Sequence, residues 1–90
     1  MEQWIDDSSG TRDFAKYTMA VTVTLTEVQA HRIRRYEQFG LVKPQRTGGH
    51  QRLFSDLQVA LIREISRLEG RGVNLKGVRV ILAMREGEEV

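Results

Sequence analysis

Four basic side chains occur within five consecutive residues, and their chemistry suits contact with nucleic acid. His31, Arg32, Arg34 and Arg35 belong to the segment 29–39. An arginine guanidinium can donate two parallel hydrogen bonds to the edge of guanine, and it also pairs with phosphate. The segment therefore predicts a DNA-reading element, with His31 and Arg32 directed toward bases and Arg35 toward a base or a phosphate.

A second group of donors follows along the chain, around two consecutive glycines. Its members are Lys43, Arg46, Thr47, His50 and Arg52. Phosphate oxygens accept hydrogen bonds from such side chains, so this group predicts backbone contacts beside the reading element. The alternative for both groups is an ordinary solvated surface, with arginine stems lying over the core.

The net charge of +2 is unevenly distributed along the chain. Residues 17–54 carry six basic and two acidic side chains, residues 1–16 carry two basic and four acidic ones, and residues 55–90 are balanced. A local excess of cations binds DNA by releasing condensed counterions. The central region therefore predicts a polyanionic partner, whereas the acidic N-terminal segment opposes one.

The sequence contains few of the residues that a catalytic site or a metal site would need. The chain has two histidines, His31 and His50, and no cysteine, so no ligand set of suitable spacing is complete. Neither histidine stands beside a nucleophile or a pair of carboxylates. We expect no enzyme activity, no metal and no cofactor.

Length and composition favour one small domain. Ninety residues with 40% hydrophobic content can form one modest core. No apolar run approaches the roughly 20 residues of a membrane span, and the N-terminus lacks the pattern of a signal peptide. We expect a cytoplasmic protein with an acidic arm at 1–16, disordered or dimer-forming, a folded domain at 17–85 and an acidic tail at 86–90.

The elements that position the basic groups can be placed by periodicity. Residues 29–39 have helical spacing, with Ala30, Ile33 and Tyr36 three apart and Gly40 as a stop. Residues 42–54 predict a β-hairpin whose strand at Pro44 must be short or at an edge.

Two helices are predicted after the hairpin. Ser55 and Gln58 have the spacing of a capping box, and Asn74 can cap the last helix. The residues expected to face the core from these helices are Leu57, Ala60, Leu61, Ile65 and Leu68, and then Leu75, Val78, Ile81 and Leu82. Before the reading element, strict alternation of apolar residues with threonine from Val21 to Leu25 predicts a strand.

The run RIRRYEQFGLVKPQRTGGHQRLFS, followed by DLQVALIREISRLEGRGVNLKGVRVIL, resembles the DNA-binding domain of the MerR family of bacterial transcription regulators. The resemblance covers residues 17–84 and is closest to the nitrogen-metabolism and heat-shock repressor subgroups. It implies a mainly α fold, a winged helix-turn-helix with four helices and a small β-hairpin wing, and it makes Met19 to Leu25 a helix instead of a strand. Glu27 stands where the family usually has glycine.

The resemblance also implies roles for individual residues. It assigns DNA contacts to Arg34 and Tyr36 in the reader helix and to Arg46 and Arg52 in the wing. Tyr36 is then a phosphate anchor, and the alternative is a buried ring with a hydrated hydroxyl. The complete predicted DNA-binding set is His31, Arg32, Arg34, Arg35, Tyr36, Lys43, Arg46, Thr47, His50 and Arg52.

The predicted function is sequence-specific binding of double-stranded promoter or operator DNA, with a homodimer on DNA and RNA polymerase or a regulatory protein as further partners. One alternative is an architectural, excisionase-like protein that bends DNA. Another is a protein-interaction module in which the apolar stripes of the last two helices bind a partner. No membrane partner is expected.

Overall fold

The computed structural model describes residues 14–88, which contain four helices and one two-stranded antiparallel sheet. The elements are α1 (Met19–Thr26), α2 (Ala30–Gln38), β1 (Gln45–Arg46), β2 (Arg52–Leu53), α3 (Asp56–Gly70) and α4 (Leu75–Glu88). This order confirms the mainly α fold with a hairpin wing. Most of the predicted arm, residues 1–13, lies outside the described residues.

Helix α1 forms where local alternation predicts a strand, so the prediction from the resemblance is confirmed and the local one is wrong. Thr18 caps the helix by accepting a hydrogen bond from the Val21 amide at 3.2 Å. The hydroxyl of Thr26 donates to the carbonyl of Thr22 at 2.8 Å and accepts from the Val28 amide at 3.1 Å. Thr22 and Thr26, four residues apart, are both buried, so tertiary packing outweighs the β-branched propensity of this segment.

The turn between α1 and α2 is left-handed at a residue that is not glycine. Glu27 has φ 61° and ψ 24°, and its amide donates to the carbonyl of Val23 at 2.7 Å. Glutamate therefore adopts the conformation that glycine adopts without steric cost. The helix-turn-helix keeps a left-handed turn despite the departure noted in the sequence.

The core lies between the four helices and the base of the wing. Its buried residues are Val28, Ile33, Tyr36, Val42, Phe54, Ile62, Ile65, Leu68, Leu75 and Val78. On α3 the predicted stripe is partly wrong, because Val59 and Ile62 are buried whereas Leu57 is 37% exposed and Ala60 is exposed. Apolar residues of α3 occur on two neighbouring faces of the helix, and packing buries the face that contains Ile62, Ile65 and Leu68.

The predicted helix ends are observed. Gly40 has φ 82° just after α2, and the capping box joins the Ser55 hydroxyl to the Gln58 amide at 3.2 Å and the Gln58 side chain to the Ser55 amide at 3.0 Å. Asn74 accepts from the Gly77 amide at 2.8 Å at the start of α4. Helix α4 continues to Glu88, so most of the predicted acidic tail is helical.

The wing is a short hairpin with Gln45 opposite Leu53 and Arg46 opposite Arg52. At its tip the His50 amide donates to the carbonyl of Thr47 at 2.8 Å, and His50 has φ 68°. This is the geometry of a three-residue loop that ends in a left-handed residue. At the base, Tyr17 and Phe54 exchange backbone hydrogen bonds of 2.9 and 2.8 Å, which attaches the N-terminal segment to the wing.

Candidate nucleic-acid interface

Helix α2 has one exposed basic face. Ile33 and Tyr36 are buried, and His31, Arg34 and Arg35 are exposed on the opposite side of the helix. Gln38 is exposed too and completes the i, i+3, i+4, i+7 spacing of this face. Gln38 is absent from the predicted DNA-binding set, although the same periodicity identifies it.

Arg32 and Tyr36 form a cluster with α3 instead of facing outward. Arg32 Nη2 donates to Glu69 Oε1 at 3.0 Å, to Ser66 Oγ at 3.2 Å and to Tyr36 Oη at 2.9 Å. Tyr36 is 0% exposed, and its hydroxyl donates to Glu69 Oε1 at 2.7 Å. In this conformation neither side chain has the outward orientation that the sequence analysis expected, because Glu69 binds both.

The electrostatics of this cluster follow from burial and hydrogen bonding. Burial and the hydrogen bond to Glu69 raise the pKa of Tyr36 to about 12. Burial on its own raises the pKa of Glu69, but hydrogen bonds from Tyr36 and Arg32 outweigh it and leave that pKa below its ordinary value. The hydrogen bond to Glu69 likewise raises the pKa of Arg32. The cluster therefore consists of an ion pair bridged by a neutral phenol.

Donors on the wing surround its glycine tip. Lys43, Arg46 and His50 are exposed, and Thr47 is partly exposed. The Thr47 hydroxyl accepts from the Gly49 and Gln51 amides at 3.3 and 3.2 Å. These two hydrogen bonds hold the loop at the tip of the wing in place. The Thr47 hydroxyl hydrogen is not used in them and can be donated to another acceptor.

Glu37 joins the wing to the reader helix. Arg52 Nε donates to Glu37 Oε1 at 2.6 Å, and Arg46 Nη2 donates to Glu37 Oε2 at 3.1 Å. In the sequence Glu37 is visible only as one acidic charge, because its contacts with Arg46 and Arg52, 9 and 15 positions away, depend on how the hairpin folds over α2. The two wing arginines predicted to contact DNA are thus brought together on one carboxylate.

Two more arginines bind the carboxyl ends of the helix-turn-helix. Arg63 on α3 donates to the carbonyl of Leu25 at 2.8 Å. Arg79 on α4 donates to the carbonyl of Phe39, with its guanidinium 4.8 Å from the centre of the Phe39 ring. Cations near a helix C-terminus interact favourably with its partial negative charge. Both arginines therefore stabilise the placement of α1 and α2.

Residues 14–88 contain neither a metal-binding cluster nor a membrane-spanning helix. That part of the chain holds no group of three or more histidine, cysteine or acidic side chains able to bind a metal. None of its helices has the length and apolar character needed to cross a membrane.

Comparison with known proteins agrees with the geometry. The family described as "MerR HTH family regulatory protein" matches residues 17–85. The HTH-type transcriptional regulator GlnR of Bacillus anthracis is 38% identical over 72 residues, which are 80% of this chain and 56% of that protein. The HTH-type transcriptional regulator MlrA of Salmonella typhimurium LT2 is 37% identical over 76 residues, covering 83% of this chain and 31% of the relative.

A protein named as heat shock protein HspR, from Streptomyces coelicolor, is 32% identical over 75 residues, covering 82% of this chain and 50% of that protein. The chain thus spans about half the length, or less, of these relatives. The match over residues 17–85 confirms the resemblance found in the sequence: the chain belongs to the MerR family of helix-turn-helix regulatory proteins.

Proposed function

We propose that this chain is the DNA-binding part of a transcriptional regulator and that it binds promoter or operator DNA sequence-specifically. The observation that carries the proposal is the exposed face of α2, where His31, Arg34 and Arg35 lie side by side with the basic wing next to them. The similar proteins named as transcriptional regulators support the same function.

The exposed face of α2 is suited to the major groove. An α-helix fits that groove, arginine can bind guanine there through two hydrogen bonds, and glutamine can bind adenine in the same way. Arg35 and Gln38 are the proposed base contacts, and Arg34 and His31 contact bases or the flanking phosphates. No salt bridge among the described residues involves Arg34 or Arg35, although the charge of Arg35 contributes to lowering the pKa of Glu69.

The wing is proposed to contact the DNA backbone. Lys43, Arg46, Thr47, His50 and Arg52 supply donors along one short hairpin. Such contacts fix the register of a protein on the duplex without reading its sequence. Arg32 and Tyr36 then position α2 through Glu69 and do not touch DNA.

We further propose that two copies bind together as a homodimer. A symmetric pair of reader helices recognises an inverted repeat whose half-sites lie about one helical turn, 10 base pairs, or a multiple of it apart. RNA polymerase or a regulatory protein is a proposed partner of the assembled regulator, and the cytoplasm its proposed location.

The experiment is selection of random duplexes on the 90-residue chain, followed by titration of the enriched duplex and a random one. We expect an inverted repeat. Arg35→Ala should cost about 1 to 3 kcal/mol on the enriched duplex and lower the preference for it. Arg46→Ala should weaken binding to both duplexes, and Arg67→Ala, which removes a cation from α3, serves as the control.

Other outcomes identify other functions. Salt-sensitive binding without an enriched sequence favours an architectural protein, and absence of binding at low salt favours a protein-interaction module. A preference that survives Arg35→Ala unchanged removes that residue from base reading.

A further inference from the structure

Two arginines stand opposite each other in the wing. Arg46 on β1 and Arg52 on β2 are register partners. Directly opposed like charges destabilise a strand pair. In strands of only two residues each, little other pairing offsets this repulsion. The hairpin therefore needs a counter-charge between these two residues.

Glu37 provides that counter-charge from the reader helix. Its two carboxylate oxygens accept separately, from Arg52 Nε at 2.6 Å and from Arg46 Nη2 at 3.1 Å. The exposed fractions of the side chains are 21% for Glu37, 24% for Arg52 and 44% for Arg46. Burial tends to raise the pKa of Glu37, yet the hydrogen bonds from both arginines hold it below its ordinary value. The carboxylate is therefore charged at neutral pH.

Glu37 also lies beside the surface proposed to contact DNA, where a negative charge opposes phosphate. With the two arginines it forms a group of net charge +1, whereas the arginines alone would carry +2. A phosphate that approaches Arg52 must compete with a carboxylate already bound at 2.6 Å. Such competition weakens binding to any duplex that does not present its phosphates in the right place.

We propose that Glu37 is a specificity-determining positioning residue: it holds Arg46 and Arg52 in the orientation that fits a target duplex and restrains them from binding phosphate elsewhere. The Arg46 side chain is 44% exposed and can reach a phosphate, and its Nη1 also donates to the carbonyl of His50 at 3.1 Å. The wing tip and the reader helix are thus connected through one arginine. The inference rests on the proposed DNA-binding function.

The test compares Glu37→Gln with Glu64→Gln. Glu64 is a matched control because it too accepts from two arginines, Arg67 and Arg85, but on α3 and α4. Affinity is measured for a random duplex and for the selected duplex across a range of salt concentrations. Thermal unfolding confirms that each variant is folded.

We expect Glu37→Gln to steepen the dependence of log affinity on log salt for the random duplex by up to about 0.9, the change for one added phosphate contact. At 0.1 M salt this is a gain in random-duplex affinity of up to about eightfold. Affinity for the selected duplex should rise less, so selectivity falls. Glu64→Gln should change neither the slope nor the selectivity, and Glu37→Asp, which keeps the charge, should restore the slope.

Nuclear magnetic resonance of the Arg52 Nε–H group in the free protein separates failure of this inference from failure of the proposed function. In the wild type we expect slow exchange of this proton, and in Glu37→Gln faster exchange. Selective DNA binding by the wild type, combined with equal slopes for wild type and Glu37→Gln, overturns the inference alone. If the wild type binds no DNA, the proposed function fails and the selectivity role with it, while the Nε–H signal still shows whether Glu37 holds the wing.

Discussion

Replacing Tyr36 by phenylalanine tests whether this residue builds the reader helix into the domain or binds phosphate. The substitution removes a hydroxyl that donates to Glu69 at 2.7 Å and accepts from Arg32 at 2.9 Å. A hydrogen bond to a charged group contributes about 1.5 to 3 kcal/mol. Arg32 and Glu69 still bind each other directly at 3.0 Å, so we expect the lower end, about 1.5 to 2 kcal/mol of lost stability.

Thermal and urea unfolding, followed by circular dichroism, measure this loss. In a domain of 60 to 100 residues, 1 kcal/mol corresponds to about 4 to 8 °C, so the Tm should fall by roughly 6 to 16 °C. Tyr17→Phe is the matched control: it removes a hydroxyl that donates to Asp56 at 2.6 Å, but from a partly exposed ring outside the reader helix. Its effect on Tm should be smaller.

Alkaline pH gives a second measure of the same contact. Because burial and Glu69 raise the pKa of Tyr36 from 10.0 to about 12, the folded state resists loss of this proton. The resulting stabilisation is present below pH 10 and is lost as pH rises through 12, on the order of 2 kcal/mol. The difference in stability between wild type and Tyr36→Phe should therefore shrink over this interval.

An unchanged unfolding midpoint in Tyr36→Phe would refute a stabilising role for the Tyr36 hydroxyl. Unchanged stability together with weaker binding to all duplexes would make Tyr36 a phosphate anchor and would require α2 to present it differently on DNA. If Tyr36 instead stabilises the domain, Tyr36→Phe should bind the selected duplex with nearly the wild-type affinity. This affinity is measured well below the melting temperatures of the wild type and the variant.

Three further substitutions test single features of the fold. Glu27→Gly should raise the free energy of unfolding by about 1 kcal/mol, measured in urea, because φ 61° strains glutamate and not glycine. Thr22→Val should raise it by a similar amount, because the hydroxyl of Thr22 is buried without a hydrogen-bond partner in the described residues and costs about 1 to 3 kcal/mol of desolvation. Hydrogen bonds from two arginines lower the pKa of Glu64 to about 2. The stabilisation of the folded state by this carboxylate is therefore present above pH 4.5 and is lost as pH falls through 2. Acid unfolding of Glu64→Gln should lack the loss of stability that the wild type shows over this interval.

The parts of the fold that the sequence predicted depend on short-range signals. Gly40, the Ser55–Gln58 capping box and Asn74 each act within four residues, and the structure places all of them as expected. The structure differs from the sequence predictions where a helix has apolar residues on two neighbouring faces and either face could be buried. Apolar residues of α3 could face either of two directions, and only contact with the other helices decides that Ile62 is buried and Leu57 is not.

Helix α1 shows why local propensity was insufficient. Alternation of apolar residues and threonine is typical of a strand. Thr22 and Thr26, however, are four residues apart and lie on the same buried face of a helix. The Thr26 hydroxyl donates to the Thr22 carbonyl at the end of that helix. The family resemblance predicted the helix because it carries information about tertiary context that eight residues alone do not contain.

The candidate interface was predictable by residue type but not by pairing. Six basic side chains between residues 17 and 54 predicted a polyanionic partner. Three of them, Arg32, Arg46 and Arg52, form ion pairs with Glu69 or Glu37. These pairs join residues far apart in the sequence, so a charge count cannot reveal them.

The pairing changes the expected salt dependence. If all six cations replaced counterions on DNA, log affinity would fall with log salt with a slope of about −5.4 per chain, whereas the three cations outside these pairs give about −2.7. Arg32 is held by a buried phenol and a carboxylate, so it stays paired on DNA, but the wing arginines are partly exposed and can exchange Glu37 for phosphate. Because the group of Glu37, Arg46 and Arg52 keeps a net charge of +1, a measured slope near −3.6 means that the wing arginines keep Glu37 on DNA, and a slope near −4.5 means that both release it. The salt titration therefore measures how far the wing rearranges when the reader helix enters the groove.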